Sequence, residues 1–311
     1  MKAVRCHEGQ VNVVEVPRPT GEGVRVRIRS AGICGSDLHV VNSPFAPSHT
    51  LGHEIAGLLP DGKPVAIEPL APCGTCDGCA TGDYQRCREG LSMVFGIGRD
   101  GGMAEEVLVP ERALVPLPSG VPASDACLVE PLAVAIHGLR LAGVRASMRV
   151  AVVGGGTIGL CAVAAVTALG AEVALVARHD SQRDAGARLG ATQPHSEYDL
   201  VIDAAGTRSA LSEAVGLSKP GGALLLLATY WDGFEVPAFD LCLREIRIIP
   251  ASMYGRGDEG RDIDASALLL GTRPDIAKTL ITHRFPLDAV AEAFATATDR
   301  SSGSIKVVLE P

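Results

Sequence analysis

The chain has 311 residues, roughly twice the length of a typical single domain, with 47% hydrophobic and 21% charged residues. That excludes a small disulfide-stapled scaffold and a disordered chain. Lys and Arg number 28 against 36 Asp and Glu, and the resulting net charge of -8 has the wrong sign for a partner built on phosphates, so nucleic acid is not an expected partner. Residues 1–17 lack the apolar core of a signal peptide, which predicts a cytoplasmic protein in a reducing compartment.

Up to about Leu128 the chain is punctuated by Gly and Pro, and runs such as Gly23-Val24-Arg25-Val26-Arg27-Ile28-Arg29 alternate with period two. Half-buried strands carry that pattern. Residues 150–171 hold no charge and place Gly155 and Gly159 at GxxxG spacing, so a membrane span competes there. The β-branched start and the break at Gly154, Gly155 and Gly156 predict instead a strand, a turn and a buried Ala-rich helix. A strand over 172–177, a helix over about 181–189, and strands over 199–203 and 222–227 follow. Near-continuous apolar strands alternating with helices demand a parallel sheet covered on both faces. The tail is polar from about Tyr254, turns amphipathic over 287–294, and ends in a strand over 305–309.

Four of the nine cysteines form a C-x2-C-x2-C-x7-C array, Cys73, Cys76, Cys79 and Cys87, interleaved with Pro72, Gly74, Gly78 and Gly82. Four thiolates on short glycine-bearing spacers suit a tetrahedral zinc ion, with two disulfides or an iron-sulfur cluster as rivals. A zinc held by four protein ligands has no open position, so its role is to pin a lobe.

Gly154-Gly155-Gly156-Thr157-Ile158-Gly159 is a G-x-G-x-x-G between a predicted strand and a predicted helix. In that setting Gly154 permits the tight turn, Gly156 admits a pyrophosphate close to the backbone, and Gly159 lets the helix pack closely. Thr157 and Ile158 open the helix whose positive end faces the phosphates. An acidic residue about 20 positions on would bind the ribose hydroxyls of NAD. Here the second strand runs into Ala177-Arg178-His179 with no acid at its end, Asp180 falls where a helix cap is expected, and Arg178 with Arg183 suits a 2′-phosphate. NADP(H) is therefore the predicted preference, with NAD(H) possible.

Cys34 in Gly32-Ile33-Cys34-Gly35-Ser36-Asp37, His53 and Glu54 in Gly52-His53-Glu54, and Glu130 in Val129-Glu130-Pro131 are each weak signals alone. Taken with the four-cysteine array and the closing Leu280-Ile281-Thr282-His283-Arg284-Phe285-Pro286-Leu287, they make the sequence resemble the zinc-dependent medium-chain alcohol dehydrogenases, on the polyol and threonine dehydrogenase branch, over nearly its whole length. The resemblance implies a catalytic zinc on Cys34, His53 and Glu130, where many members have a third ligand of cysteine. One thiolate and one carboxylate still neutralise Zn²⁺, and the vacant position acts as a Lewis acid toward an alcohol. It also implies Glu54 as a carboxylate near the metal that serves as outer group or alternate ligand, Asp37 as the group orienting His53, and Ser36 and His39 as a proton relay.

The fold expected is α/β: a GroES-like β-barrel catalytic domain (residues 1–130 and 255–311) holding both zinc sites, with a doubly wound parallel-sheet Rossmann domain (131–254) inserted. The expected reaction is hydride transfer between NADP(H) and a secondary alcohol or polyol, or the matching ketone or aldehyde, in a homodimer or homotetramer. Alternatives are a threonine or amino-alcohol (aminocyclitol) dehydrogenase, a zinc-free quinone or enone reductase, and a non-catalytic nucleotide-binding structural protein. The chain is shorter than the family's usual length, and the stretch between Cys34 and His53 looks trimmed. Lys306 is read as reaching the cofactor phosphates or lying in solvent, and Cys6, Cys127, Cys161 and Cys242 as core thiols.

Overall fold

The computed structural model describes every residue except 42, 44–46, 232 and 234 and the side chain of residue 300. The stretch expected to be trimmed includes 42 and 44–46, which lie outside the described residues. The first elements are β1 (Lys2–His7), β2 (Gln10–Glu15), β3 (Val24–Gly32), α1 (Gly35–Val40), β4 (Glu54–Leu58), β5 (Pro64–Ile67), α2 (Asp77–Ala80), β6 (Glu106–Val109) and β7 (Leu114–Pro116). Helix α3 (Val129–Ala142) leads into β8 (Arg149–Val153), α4 (Thr157–Ala168), β9 (Glu172–Val176), α5 (Asp180–Leu189), β10 (Tyr198–Asp203), α6 (Arg208–Leu217), β11 (Ser218–Leu226), α7 (Ala238–Leu243) and β12 (Arg247–Pro250). The chain ends with β13 (Arg256–Gly257), β14 (Gly260–Arg261), α8 (Asp262–Thr272), α9 (Asp275–Leu280), β15 (Ile281–Pro286), α10 (Val290–Thr298) and β16 (Lys306–Glu310). Two compact units result: Met1–Glu130 with Gly255–Pro311, and Pro131–Tyr254.

The first unit is built on a seven-stranded sheet ordered β15-β16-β3-β4-β5-β7, with β6 also on β3. In β3 the period-two pattern sends Val26, Ile28 and Ser30 inward and Arg27 and Arg29 outward, and the strand runs three residues beyond the stretch the alternation marks. Val26, Ile28, Ile55, Ile67, Phe95 and Leu309 share one buried cluster, and each such side chain contributes on the order of 1.5–3 kcal/mol by leaving water. The C-terminal strand β16 pairs with β3 at Val308–Gly32, while β3 pairs with β4 at Gly32–Glu54. Residues from both ends of the chain are thereby set side by side.

The second unit is a five-stranded parallel sheet ordered β12-β11-β10-β8-β9. Strand β8, between β10 and β9, is fully buried over Val150, Ala151 and Val152, as a strand covered on both faces must be. The charge-free stretch is β8, a turn and α4, and no helix among the described residues is long and apolar enough to cross a membrane. A doubly wound dinucleotide fold runs its strands 3-2-1-4-5-6. Here the place of strand 3 is taken by a single bridge from Thr192 to Ala174, and residues 190–197 pass directly from α5 to β10 with no helix between. Part of the chain's shortness lies in that crossover.

Candidate functional site

Cys34 caps the N-terminus of α1 in extended backbone, and the Asp37 carboxylate reaches back to accept the Cys34 N–H at 2.9 Å. That local loop is what the Cys-Gly-Ser-Asp spacing encodes. His53 and Glu54 are delivered by β4 from the other side. Gly52 before them has φ +98°, and a Cβ there would come within 2.8 Å of the Met103 backbone nitrogen, so only glycine lets the chain turn under the 101–103 segment. The Gly32–Glu54 register sets the second glycine requirement: a Cβ on Gly32 would lie 2.0 Å from Glu54 Oε2.

Ligand atoms of Cys34, His53 and Glu54 fall within 4.8 Å of one another. His53 Nδ1 is buried without a hydrogen-bond partner, its nearest acid being Asp37 Oδ1 at 3.6 Å, while Nε2 lies 3.3 Å from Ser36 Oγ. Burial works to lower the His53 pKa, but the charges of Asp37, Cys34 and Glu130 raise it well above its ordinary value. The site favours positive charge at that ring, and thiolate, imidazole and carboxylate donors together fit a zinc ion. His39 stands one helical turn beyond Ser36 in α1.

The two glutamates stand differently toward Cys34 and His53. Glu130, expected as third ligand, is buried at the first turn of α3 and acts on His53 by its charge, but it is not drawn with Cys34 and His53 into a group within 4.8 Å. It arrives on a separate element, whereas Glu54 adjoins His53 in the chain. Glu54 in turn is held from behind: Lys306 Nζ donates to both of its oxygens at 2.7 and 2.6 Å and to the Ile33 carbonyl at 2.8 Å. Both side chains are 1% exposed. Lys306 is therefore neither in solvent nor free to reach a phosphate. Its signal in the sequence was a lone cation inside an apolar terminal strand. Cys127, also nearby, is a buried thiol that burial and then the Glu54 charge push up to about 12, so it stays protonated.

The four-cysteine lobe is drawn together by its own loop. All four sulfurs lie within 4.8 Å, with Cys76 and Cys79 Sγ atoms 3.5 Å apart and Cys73 and Cys79 3.9 Å apart. A tetrahedron with 2.3 Å arms has edges of about 3.8 Å, whereas a disulfide brings its sulfurs to about 2.05 Å. Backbone N–H and hydroxyl of Thr75, then the Cys76 N–H, bring the Cys73 thiol down to about 6, so it is poised as a thiolate. All nine cysteines are unpaired; Cys242 is exposed and so is not a core thiol, whereas Cys6 is half-buried and packs against the core of the first unit. Because a structural zinc contributes on the order of 10 kcal/mol of local order, Cys79→Ser should lose one metal ion per chain and open the 73–90 loop to protease. Metal analysis with limited proteolysis checks this; a resistant loop at the lower metal content would show that the lobe stands without its ion.

In the second unit Gly154 has φ +113°, and a Cβ on Gly159 would lie 1.8 Å from the Gly154 carbonyl oxygen. Gly156 caps α4 and faces open space, with nothing within 4 Å of where its Cβ would stand. Thr157 and Ile158 begin the helix behind it. An N-terminal turn with bare backbone is a cradle for a pyrophosphate. Arg178 lies beyond β9 and donates to Ser209 Oγ at 3.1 Å. Arg183 donates to the carbonyls of Ala177 and Arg178 at 2.7 and 3.0 Å and pairs with Asp180. Asp180 is not the helix cap either, since His179 occupies that position. Arg183 shapes the turn that presents Arg178.

Residues 20–119 match the alcohol dehydrogenase GroES-like domain model, and residues 157–267 match the zinc-binding dehydrogenase model. A probable zinc-binding alcohol dehydrogenase of Mycobacterium tuberculosis is 32% identical over 97% of this chain and 86% of its own. Galactitol-1-phosphate dehydrogenase from Escherichia coli superposes with a TM-score of 0.89 at 29% identity, covering 100% of both chains. A zinc-binding dehydrogenase of Sinorhizobium meliloti, solved bound to NADP, gives 0.86 at 29% identity over 100% of this chain and 99% of its own.

Proposed function

The chain belongs to the zinc-dependent medium-chain alcohol dehydrogenase family and is a zinc-dependent alcohol oxidoreductase, and from that premise we propose that it moves a hydride between NADP(H) and a secondary alcohol or polyol or the matching carbonyl compound. The observation carrying this reading is the convergence of Cys34, His53 and Glu54 beside Ser36, with the Glu130 charge also acting on His53. A zinc ion held there supplies a Lewis acid that favours loss of an alcohol proton near neutral pH. Cys34 and His53 are two of its ligands. Glu130 is the third, because Lys306 already neutralises Glu54 and holds both of its oxygens, leaving Glu130 as the carboxylate whose charge matches the ion. Asp37 stands behind His53 and favours the ring orientation with Nε2 forward. Ser36 and His39 receive the proton and pass it toward water.

A second zinc sits in the four-cysteine lobe, and the Gly154–Gly159 turn binds the cofactor pyrophosphate. Arg178 with Ser209 is suited to a 2′-phosphate. The reading also assigns a homo-oligomer, supported by the edge strand β12 and by the outward apolar face of α7, where Phe239 and Leu243 are 77% and 69% exposed. The unpaired cysteines support work in the reducing cytoplasm.

The test is zinc per chain together with turnover on polyols, amino alcohols and simple ketones with each cofactor. Two zinc ions and NADP-linked turnover of polyols or secondary alcohols support the reading; turnover confined to amino alcohols moves the substrate class. Glu130→Gln should lose the catalytic zinc, whereas Glu54→Gln should retain it; the reverse would make Glu54 the ligand. Arg178→Ala should raise KM for NADP about ten- to a hundredfold, the worth of a hydrogen bond to a charged group, and leave NAD nearly unchanged. Equal effects on both cofactors would remove the 2′-phosphate role.

A further inference from the structure

Asp203 ends β10 completely buried and gathers the loops at the carboxyl ends of the parallel strands. Its Oδ1 accepts the N–H groups of Ala205 and Gly206 at 2.8 and 3.2 Å, and its Oδ2 accepts the Tyr230 hydroxyl at 2.7 Å. Its backbone carbonyl accepts the N–H groups of Leu227 at 2.9 Å and Ala228 at 3.1 Å. Ala205 packs in turn on the Gly-rich turn, where a Cβ on Gly154 would lie 2.9 Å from the Ala205 nitrogen. The loops after β8, β10 and β11 are tied through this one residue.

The strand order places the topological switch between β8 and β10, and ligands of open α/β sheets bind outside the carboxyl ends of the strands at that point. The glycine fingerprint and the ribose-reading position both belong to the β8–β9 half, which takes the adenosine end of a dinucleotide. The β10–β11 half remains for the nicotinamide end.

We infer that the Asp203–Tyr230 pair is a positioning device for the nicotinamide half of the cofactor, holding residues 227–231 in the shape that half requires. This rests on the nicotinamide reading above. Burial and the bond to Asp203 push the Tyr230 phenol far above its ordinary range, so it remains a donor at any working pH. Tyr230 is a positioning residue acting through its loop and has no part in the hydride transfer itself.

The experiment is equilibrium binding to Tyr230→Phe and wild type of two ligands: the intact reduced dinucleotide that wild type binds more tightly, followed by fluorescence, and the matching fragment, 2′,5′-ADP or ADP, followed by calorimetry. The phenylalanine keeps the ring and removes only the hydroxyl. Expected is a roughly tenfold loss for the dinucleotide with fragment binding unchanged. Equal losses for both ligands mean a general loosening of the domain, and unchanged dinucleotide binding means no positioning; either overturns the inference. A wild-type protein that binds neither NADPH nor NADH overturns the cofactor reading instead, and the two failures are thus separable.

Discussion

Lys306→Met should destabilise the first unit by about 3–5 kcal/mol, the usual cost of leaving one member of a buried ion pair uncompensated. Methionine fills nearly the same volume, so the loss comes from charge rather than from a cavity. In the native chain the three ammonium protons are matched by the two Glu54 oxygens and the Ile33 carbonyl, all at hydrogen-bond distance and out of water. Burial alone would depress the Lys306 pKa, but the Glu54 charge and then Cys34 raise it. A raised folded pKa gives stability that is complete below the unfolded lysine value of about 10.4 and is lost only as pH climbs through the folded value. The native pair therefore adds no pH dependence between pH 5 and 9.

The variant should differ in that respect. Without the ammonium the Glu54 charge is buried uncompensated, a state that burial penalises and protonation relieves, so the variant's stability should fall as pH rises. Adding Glu54→Gln should recover most of the loss, since a buried pair replaced on both sides often costs little. Denaturant titrations at pH 5 and pH 8 check this. A loss that is equal at both pH values and persists in the double variant would show that Lys306 matters only for packing.

This pair also marks where the sequence stops being readable. The four-cysteine array and the glycine turn are legible because their donors lie within a few residues, and loop geometry is local physics. The β3 alternation and the apolar strands of the second unit are legible for the same reason. Glu54 and Lys306 are 252 positions apart, and only the pairing of β16 and β4 on either side of Gly32 brings them together. The engagement of Arg183 by the carbonyls of its own turn is not legible either, because no motif announces which neighbours a surface cation satisfies. Strand 3 vanished without a motif to announce its loss; the length left between α5 and β10 is the only trace. The triplet Gly-His-Glu likewise does not say which way Glu54 turns, because the lysine that holds it comes from the far end of the chain.

Cys34→Ser should abolish turnover while leaving the fold intact, the mirror of what Cys79→Ser does to the cysteine lobe. A serine hydroxyl is neutral at working pH and a poor substitute for thiolate, so the buried point keeps His53 and a carboxylate but loses half of the anionic charge that balances a divalent ion. Zinc content should fall from two per chain to one. The lost Lewis acid is worth several kcal/mol of charge stabilisation, which at 1.36 kcal/mol per decade means a decrease of at least about 10³-fold. Stability should change little, because Cys34 makes its structural contact through its backbone N–H to Asp37, which serine retains, and serine is itself a good helix cap. Binding of the dinucleotide should persist, since the Gly154–Gly159 turn belongs to the other compact unit. Metal analysis, thermal unfolding and cofactor titration on one preparation separate these expectations. A Cys34→Ser protein that keeps both zinc ions and turns over at the native rate would show that the sulfur, the imidazole and the carboxylate do not share an ion, and the chemistry assigned to that point would have to lie elsewhere.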